Sequence, residues 1–519
     1  MAARPTIALI GFMAAGKTRA AATLASELGE PHADTDELIE RGLGEPIAAF
    51  FEREGEAEFR RVEEEAVLEA LDAGGVVSLG GGALGSERVR RALGECVVLL
   101  CRVREAVAWK RARGGSRPLA ADRERFKRLY EERAPTYEKA ADFVLPRVGK
   151  ETIARAAPWI AALRERPGLR VAWARAASAE YPVVVGTGAG SLVGSAAPLA
   201  LPAPGTRLFP IVDPAAVSSG AVAVPAGCEE PLSALGGEAH KTLAEAERLI
   251  GELAERGLRR DDAVVAIGGG VVGDLSGFVA AVYQRGVPVV QVPTTLVAQV
   301  DSALGGKTGV DIAAAKNYVG AYHQPAAVLT DPAALTSLPP AELASGYAEV
   351  VKTALIAGGD LWERVRDAGP PTPASMADLV FDCAQTKLAV VAEDERDAGR
   401  RNVLNLGHTV GHAIEVATGY SSYRHGEAVA LGLLAALRLS GQDALRREVK
   451  VLWEAAGLPT SLAATPELSV EEIVGATGRD KKQTAAGLGF VLVRAPGDVV
   501  HGEPVGRREL EDAVEELRP

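Results

Sequence analysis

Histidine, cysteine and methionine are scarce in this chain, at seven, four and three of 519 residues. The cysteines, Cys96, Cys101, Cys228 and Cys383, are too scattered for a metal site and too few for a disulfide framework. A stapled secreted scaffold is thereby excluded, and a reduced, cytoplasmic setting is expected. Aromatic residues make up 5% of the chain, so its core must come mainly from Ala, Val and Leu. No uninterrupted apolar run reaches the roughly 20 residues of a membrane span. The start of the chain also lacks the basic-then-apolar pattern of a secretion signal, and no short-period repeat is visible. Positive charge is in deficit: 57 Lys and Arg stand against 69 Asp and Glu, a net charge of −12. Nucleic acid and membrane surfaces are therefore poor partners. Any anionic substrate must be met by local clusters of Lys and Arg rather than by the overall field.

What is present is ample apolar core, 47% of residues, and a length that suits about three or four domains. Up to about residue 166, short apolar runs (Ile7–Ile10, Val76–Leu79, Cys96–Cys101) alternate with helical patterns such as the charged segment Glu52–Leu71. That alternation predicts a parallel sheet with helices on both sides. A helix over about Glu151–Arg166 stops at Pro167-Gly168, a natural linker. A second α/β series begins at Val171–Trp173 and Val183–Gly186. It continues through Leu208–Val212, Ala263–Ile267, Val289–Val292 and Val328–Thr330. From Leu338 the pattern is helical, apart from a hairpin expected at Gly487–Val493. The predicted division is 1–166, 169–337 and 338–519: α/β, then α/β, then all-helical.

Two unrelated chemical signatures sit far apart on this frame. Gly11-Phe-Met-Ala-Ala-Gly16-Lys17-Thr18 follows the run Ile7–Ile10 and precedes the helical pattern Arg19–Leu28. Strand, glycine-bounded loop and helix form the context that gives a phosphate-loop motif its meaning. Backbone amides and the helix N-terminus would hold phosphates, Lys17 would reach the β and γ oxygens, and Thr18 would ligate Mg²⁺. Asp34-Thr-Asp36 follows a weak strand, where the acids could serve a metal and a hydroxyl or simply cap a helix. Gly80-Gly81-Gly82 ends a strand, and Arg111–Arg117 is a basic, flexible segment suited to a phosphate-covering lid or to a solvated loop.

The second signature gathers three of the scarce histidines. His408 and His412 are four apart, on one face of a helix, and His425 follows a Gly/Tyr/Ser break. Imidazoles with a carboxylate are the donors that Zn²⁺ selects. Upstream, Gly268-Gly-Gly-Val-Val-Gly-Asp274 follows the strand Ala263–Ile267, alone only a weak dinucleotide signal. A dense polar window follows, with Arg285, Thr294, Thr295, Asp301, Lys307, Lys316, Asn317, Glu349 and Lys352. Lysines among glycines and carboxylates are costly to bury without anionic partners, which a phosphorylated, hydroxyl-rich substrate would supply.

In order and spacing, the phosphate loop, Asp-Thr-Asp, Phe59-Arg60, Gly-Gly-Gly, Arg117-Pro-Leu and Arg133-Ala-Pro-Thr-Tyr137 resemble shikimate kinase across 1–166. The resemblance implies a P-loop fold. Gly11, Gly16, Lys17, Thr18 and Arg117 would hold ATP; Thr18 and Asp34 would hold Mg²⁺; Asp36, Arg60, Gly82 and Arg133 would hold shikimate. Lys17, Asp36 and Arg117 would be catalytic, by positioning and charge neutralisation at the γ-phosphate. Ala14 stands where that family often has Gly.

From 169 to about 515 the chain resembles 3-dehydroquinate synthase. The resemblance rests on Gly-Gly-Gly-Val-Val-Gly-Asp-Leu-Ser-Gly-Phe, Gln-Val-Pro-Thr-Thr-Leu and Asp-Ser-x-x-Gly-Gly-Lys-Thr. Glu-Val-Val-Lys, Asn-Leu-Gly-His-Thr-x-Gly-His and His-Gly-Glu complete it. It implies a Rossmann-like NAD-binding domain followed by an all-helical metal-binding domain. Glu349, His408 and His425 would ligate zinc, or another divalent ion such as Co²⁺. His412 would then be a proton-transfer group rather than a ligand, a correction to the helical pair. Asp213, Glu238, Lys241, Gly269, Gly270, Asp274, Thr294, Thr295, Lys316 and Ser337 would line the NAD site, with Ser337 where the family usually has Thr. Asp301, Lys307, Asn317, Lys352, Lys387, Arg401, Asn405 and His412 would hold 3-deoxy-D-arabino-heptulosonate 7-phosphate; Lys307, Lys352, Arg401 and His412 would be catalytic. Arg285 would meet the substrate's phosphate across the boundary of a homodimer formed by this part. Lys481 or Lys482 matches a further family motif. The implied reaction releases phosphate, yields 3-dehydroquinate and recycles NAD⁺. A metal-dependent polyol dehydrogenase would share the triple-glycine turn but release NADH, and a nucleotide-sensing regulator would keep the phosphate loop without turnover.

Overall fold

The computed structural model describes residues 4–113, 122–193, 205–312, 315–477, 483–484 and 487–519. The chain divides into two compact units, one from the N-terminus to Ala174 and the other from Arg175 onward, apart from a few residues near the boundary.

The first unit is a parallel sheet of β1 (Ile7–Ile10), β2 (His32–Asp34), β3 (Val76–Ser78), β4 (Val97–Cys101), β5 (Phe143–Leu145) and β6 (Arg170–Arg175), in the order β2-β3-β1-β4-β5-β6. The apolar runs become strands because both faces are covered: all four residues of β1 and all five of β4 are buried. In register, Leu9 faces Ser78 and Asp34 faces Ser78 on its other side. The loops after β1, β2 and β3 therefore open at one edge of the sheet, where α/β folds place their ligands. The charged helix is longer than its sequence pattern suggests, Ile47–Ala73, and Gly55 breaks it with φ 82°. The strand at 170–175, expected to open the second series, pairs in parallel with β5 through Phe143–Val171. Those backbone hydrogen bonds place it with the first unit as far as Ala174.

After β7 (Glu180–Val185), the second unit contains a run of parallel strands. Its strands are β8 (Leu208–Val212), β9 (Leu232–Ser233), β10 (Ala263–Gly268), β11 (Val289–Pro293) and β14 (Ala327–Thr330), in the order β14-β11-β10-β8-β9. Phe209, Leu249, Val264, Leu275 and Val279 are fully buried in its core. An antiparallel hairpin, β12 (Lys307–Ile312) with β13 (Ala315–Tyr322), stands apart from this sheet. The polar window of the sequence had not marked it as strand. Gly309 and Gly320 let its arms close: a Cβ on Gly320 would lie 2.4 Å from the Thr308 carbonyl oxygen.

From Pro340 the second unit is mainly helical. The segment expected to form a whole hairpin, Gly487–Val493, is one arm of it. Gly487–Ala495 is a single strand paired with Asp498–Pro504, because the turn falls at Pro496-Gly497. Helices Pro340–Ala357, His408–Ala417 and His425–Leu439 meet at glycines. A Cβ on Gly426 would lie 1.9 Å from the Ser345 carbonyl oxygen, and one on Gly432 would lie 2.0 Å from that of Gly407. No larger residue fits these crossings, and the backbones approach closely enough for side chains from three helices to share one point. No described helix is long and apolar enough to cross a membrane.

Candidate active sites

In the first unit the phosphate loop is shaped by backbone demands. Gly11 has φ 141° and leaves no room for a Cβ, which would sit 2.5 Å from the Cys101 carbonyl oxygen. Gly16, at φ 92°, begins helix Lys17–Leu28 with no side chain capping its first amides. Those amides and the helix dipole face outward as an anion cradle. Lys17 Nζ donates to the carbonyls of Gly11 at 2.9 Å and Phe12 at 3.2 Å, folded along the loop it would serve. Ala14 adopts φ 60°, the left-handed backbone that favours glycine.

Asp34 caps a helix and also faces the phosphate loop. Its Oδ1 caps the next helix by accepting from the Asp36 amide at 3.0 Å, while Oδ2 accepts the Thr18 hydroxyl at 2.6 Å. Thr35, fully buried, accepts the Gly80 amide at 2.9 Å and ties this turn to the glycine triplet. Arg60 packs on Gly82, where a Cβ would be 2.0 Å from Nη1, and Arg133 donates to the Gly81 carbonyl at 2.8 Å. Asp36, Arg60, Gly82 and Arg133 are thus brought together.

One neighbour, Glu63, escaped the sequence reading, and Tyr137 entered it only as the end of a motif. Glu63 is 3% exposed and pairs with Arg60 at 2.5 Å. Burial pushes its carboxyl above the usual range against the pull of Arg60. Tyr137 donates its hydroxyl to Gly81. The i, i+3 spacing of Arg60 and Glu63 was the available signal. Arg117 lies outside the described residues, and of the basic segment Arg111 donates to the Ala14 carbonyl at 3.2 Å.

In the second unit a cleft of ≈ 1810 Å³ opens at the strand ends. Asp213 follows β8, Gly269 and Gly270 follow β10, and Thr294 and Thr295 follow β11, all on its wall. Helix Gly270–Val282 starts with no side-chain cap, and a Cβ on Gly269 would meet Thr295 Cγ2 at 2.9 Å. Lys241 is buried and held by Asp274 and Asn317, each at 2.6 Å. Glu238, Lys316 and Ser337 complete this side of the wall.

Across the cleft lie Asp301, Lys307, Lys387, Asn405, His408, His412 and His425. Lys387 donates to the Asp301 carboxylate at 2.7 Å. Burial alone would raise the Asp301 pKa, but Lys387 and Lys352 hold it down at about 2. Burial lowers that of Lys387 despite Asp301. Lys307 pairs with Asp397 at 2.5 Å, and Asp397 sits at φ 60° with a buried Oδ1 that has no hydrogen-bond partner.

Glu349, His408 and His425 offer donor atoms within 4.8 Å of one another. From Glu349 Oε1, His408 Nε2 is 3.5 Å and His425 Nε2 is 3.4 Å away. Glu349 is 1% exposed and ion-paired through Oε2 with the equally buried Lys352, while its Oε1 accepts no hydrogen bond and faces the two imidazoles. Burial opposes its charge, yet Lys352 and the two imidazoles keep it ionised well below the usual range. His408, by contrast, is driven by burial and Lys352 well below its ordinary pKa and stays neutral. Its Nδ1 lies 3.2 Å from the Leu406 carbonyl, which holds the proton there and leaves Nε2 free to coordinate. Burial works against a charge on His425, but Glu349 and Glu415 raise its pKa to about 10. A neutral imidazole, a second imidazole whose Nε2 proton a metal would replace, and a buried carboxylate fit a divalent cation.

Three predicted residues lie elsewhere. Arg401 is 1% exposed, and its two guanidinium arms donate to the Glu395 carbonyl at 2.6 Å and the Gly305 carbonyl at 3.0 Å rather than facing the cleft. Lys352 lies behind the wall with Glu349. Arg285 is exposed on a turn away from it. Lys481 and Lys482 fall outside the described residues.

The fold and sites thus define a nucleotide-dependent phosphotransferase unit followed by an NAD- and metal-dependent enzyme unit. Family models match at residues 13–163 (shikimate kinase), 232–345 (3-dehydroquinate synthase N-terminal) and 346–483 (3-dehydroquinate synthase C-terminal). The 3-dehydroquinate synthase of Halorhodospira halophila is 46% identical over 293 residues, 54% of this chain and 82% of that protein. That of Caulobacter vibrioides is 44% identical over 288 residues, 53% of this chain and 77% of that protein. Among solved structures, 2-deoxy-scyllo-inosose synthase complexed with carbaglucose-6-phosphate, NAD⁺ and Co²⁺ aligns at 26% identity and TM-score 0.57, over 67% of this chain and all of that one. The 2-epi-5-epi-valiolone synthase of Streptomyces hygroscopicus, with NAD⁺ and Zn²⁺ bound, aligns at 25% identity and TM-score 0.55, over 65% of this chain and 96% of that one. The chain belongs to the 3-dehydroquinate synthase family and carries a shikimate kinase domain ahead of it, a bifunctional enzyme of the shikimate pathway.

Proposed function

We propose that the N-terminal part (1–166) phosphorylates shikimate with ATP and Mg²⁺, at Lys17, Thr18, Asp34, Asp36, Arg60 and Arg133. The remainder, an NAD-binding part (169–337) and a helical part (338–519), converts 3-deoxy-D-arabino-heptulosonate 7-phosphate to 3-dehydroquinate. The observation that carries the second assignment is the convergence of Glu349, His408 and His425 donor atoms, across the cleft from a glycine turn suited to a dinucleotide.

Glu349, His408 and His425 would hold a zinc ion, which would supply acidification of the substrate's hydroxyls, and the wall at Gly269, Gly270 and Asp274 would hold the NAD that would supply hydride transfer. The chain supplies the rest. Asp301 with Lys387 and Asn405 orients the hydroxylated ring, and Lys307 leaves Asp397 for a substrate anion. His412, on the cleft wall outside the ligand trio, moves a proton at a ring nitrogen. Arg401 acts by holding the Gly305 and Glu395 backbone rather than by contact.

The finer reading is a homodimer through the synthase part, with Arg285 of each protomer reaching the other's substrate phosphate. In its favour, Arg285 lies off its own cleft, on a turn where Gln284 and Arg285 both take positive φ, 47° and 69°. Such strain persists where a side chain must be presented. A cytoplasmic setting suits four free thiols.

One assay tests the assignment. The heptulosonate phosphate should release phosphate with no net NADH, and a chelator should stop it. Stoichiometric NADH would instead make the second part a polyol dehydrogenase. ADP formation should require shikimate, and its absence would leave a nucleotide sensor.

A further inference from the structure

Each imidazole of a metal site needs its second nitrogen fixed, or the ring tips away from the ion. For His408 the Leu406 carbonyl does this. His425 has no comparable backbone partner. It begins its own helix, and its side chain is 38% exposed. Facing its Nδ1 is Glu415 Oε1, at 3.5 Å, while Nε2 faces Glu349. Glu415 is 4% exposed and lies seven residues after His408, two turns along the same helical face. Helix His408–Ala417 thereby carries one ligand of the trio and a carboxylate aimed at the other imidazole. Lys316 Nζ sits 3.5 Å from the same Glu415 oxygen and 3.6 Å from Glu238, on the cofactor side of the cleft.

Resting on the zinc-ligand reading above, we infer that Glu415 is the positioning residue of His425. It holds the Nδ1 proton so that Nε2 presents its lone pair to the metal. Because Glu415 also meets Lys316, it joins the metal site to the cofactor wall. His412, Glu415 and His425 also offer donor atoms within 4.8 Å of one another, a geometry that could suit a second cation. That cation would require His425 to give up both ring protons, whereas the orienting role needs only its neutral form.

The test uses the full-length protein as Glu415→Ala and Glu415→Gln, stripped of metal and titrated with Zn²⁺ and with Co²⁺. Zinc affinity should fall by about 10–100-fold in Glu415→Ala, and the Co²⁺ visible absorption should change in shape and intensity. Glu415→Gln, which keeps an acceptor oxygen, should fall between Glu415→Ala and the unaltered protein. Metal-free melting temperature guards against simple misfolding: both variants should match the metal-free parent. Unchanged zinc affinity and an unchanged Co²⁺ spectrum in Glu415→Ala would overturn the inference. Binding of two ions per chain with one lost in Glu415→Ala would overturn it in favour of the second-cation site. His425→Ala, titrated alongside, separates the two claims: if it keeps full metal affinity, the ligand assignment itself fails.

Discussion

The Thr18 hydroxyl donates to Asp34 at 2.6 Å, joining the end of the phosphate loop to the turn after β2, two strands away in the sheet. A hydroxyl and a carboxylate so placed present two oxygen donors to one octahedral cation. Lys17, one residue earlier, brings the charge that the transferred phosphoryl needs. Lys17→Ala should cut shikimate phosphorylation by roughly 10²–10³-fold or more, the scale for losing one preorganised charge donor. Synthase activity should stay within a few-fold. Coupled assays of both activities on one preparation check this, and parallel loss of both would contradict independent sites.

Glu349 and Lys352 are each 1% exposed and paired, three residues apart on one helix. Removing one member of such a pair strands the other in the core. Glu349→Ala should therefore lose zinc and also cost about 3–5 kcal/mol of stability. The double variant Glu349→Gln, Lys352→Met should recover most of that stability and still bind no zinc. Urea unfolding with metal analysis on the same samples would show it. A double variant as unstable as the single one would mean that the stranded charge is not the cause.

Much of this site was legible because its chemistry is local in sequence. The glycine turn after Ala263–Ile267, Glu349-Val-Val-Lys352 and the three histidines are each short motifs with a physical reason for their spacing. The hairpin bearing Lys307 and Lys316 was not legible, since its arms are half-exposed, carry mixed polarity and close through Gly309 and Gly320. Nor were Glu63, Asp397 and Glu415. Each matters through a partner rather than by type: a glutamate on a helix looks like solvated surface until Arg60 or His425 is placed against it. Arg401 is the reverse case, a residue whose motif points to substrate while its guanidinium donates to two carbonyls.

Ala14 holds φ 60° inside the phosphate loop, at a position where glycine would pay nothing. The left-handed backbone costs a Cβ-bearing residue roughly 1–2 kcal/mol, and glycine gives back about 0.4–1 kcal/mol through the entropy of the unfolded chain. Ala14→Gly should consequently be neutral to mildly stabilising. Gly11→Ala, which drives a Cβ into the Cys101 carbonyl, should be damaging. Midpoints of thermal inactivation of kinase activity compare the two, and a marked drop in Ala14→Gly would show that the loop gains from the alanine.

Asp262 closes the turn before β10 by accepting the Arg259 amide at 2.8 Å, the Arg207 amide at 3.1 Å and the Arg207 guanidinium at 2.7 Å. Burial works against its charge, but these donors outweigh burial and hold its pKa below the usual carboxylate value. A pKa lower in the folded than in the unfolded state means that the unfolded chain binds the proton more readily. The resulting stability is therefore complete above the unfolded value of about 3.9 and is lost as pH falls through the folded one. Asp262→Asn should cost about 1.5–3 kcal/mol at pH 7, the range for hydrogen bonds to a charged group. Its deficit relative to the parent should then shrink below about pH 4 as the parent's carboxylate protonates. Urea titrations at pH 7, 5 and 3 would trace this, and a deficit constant across all three would place the stabilisation in packing rather than in the charge.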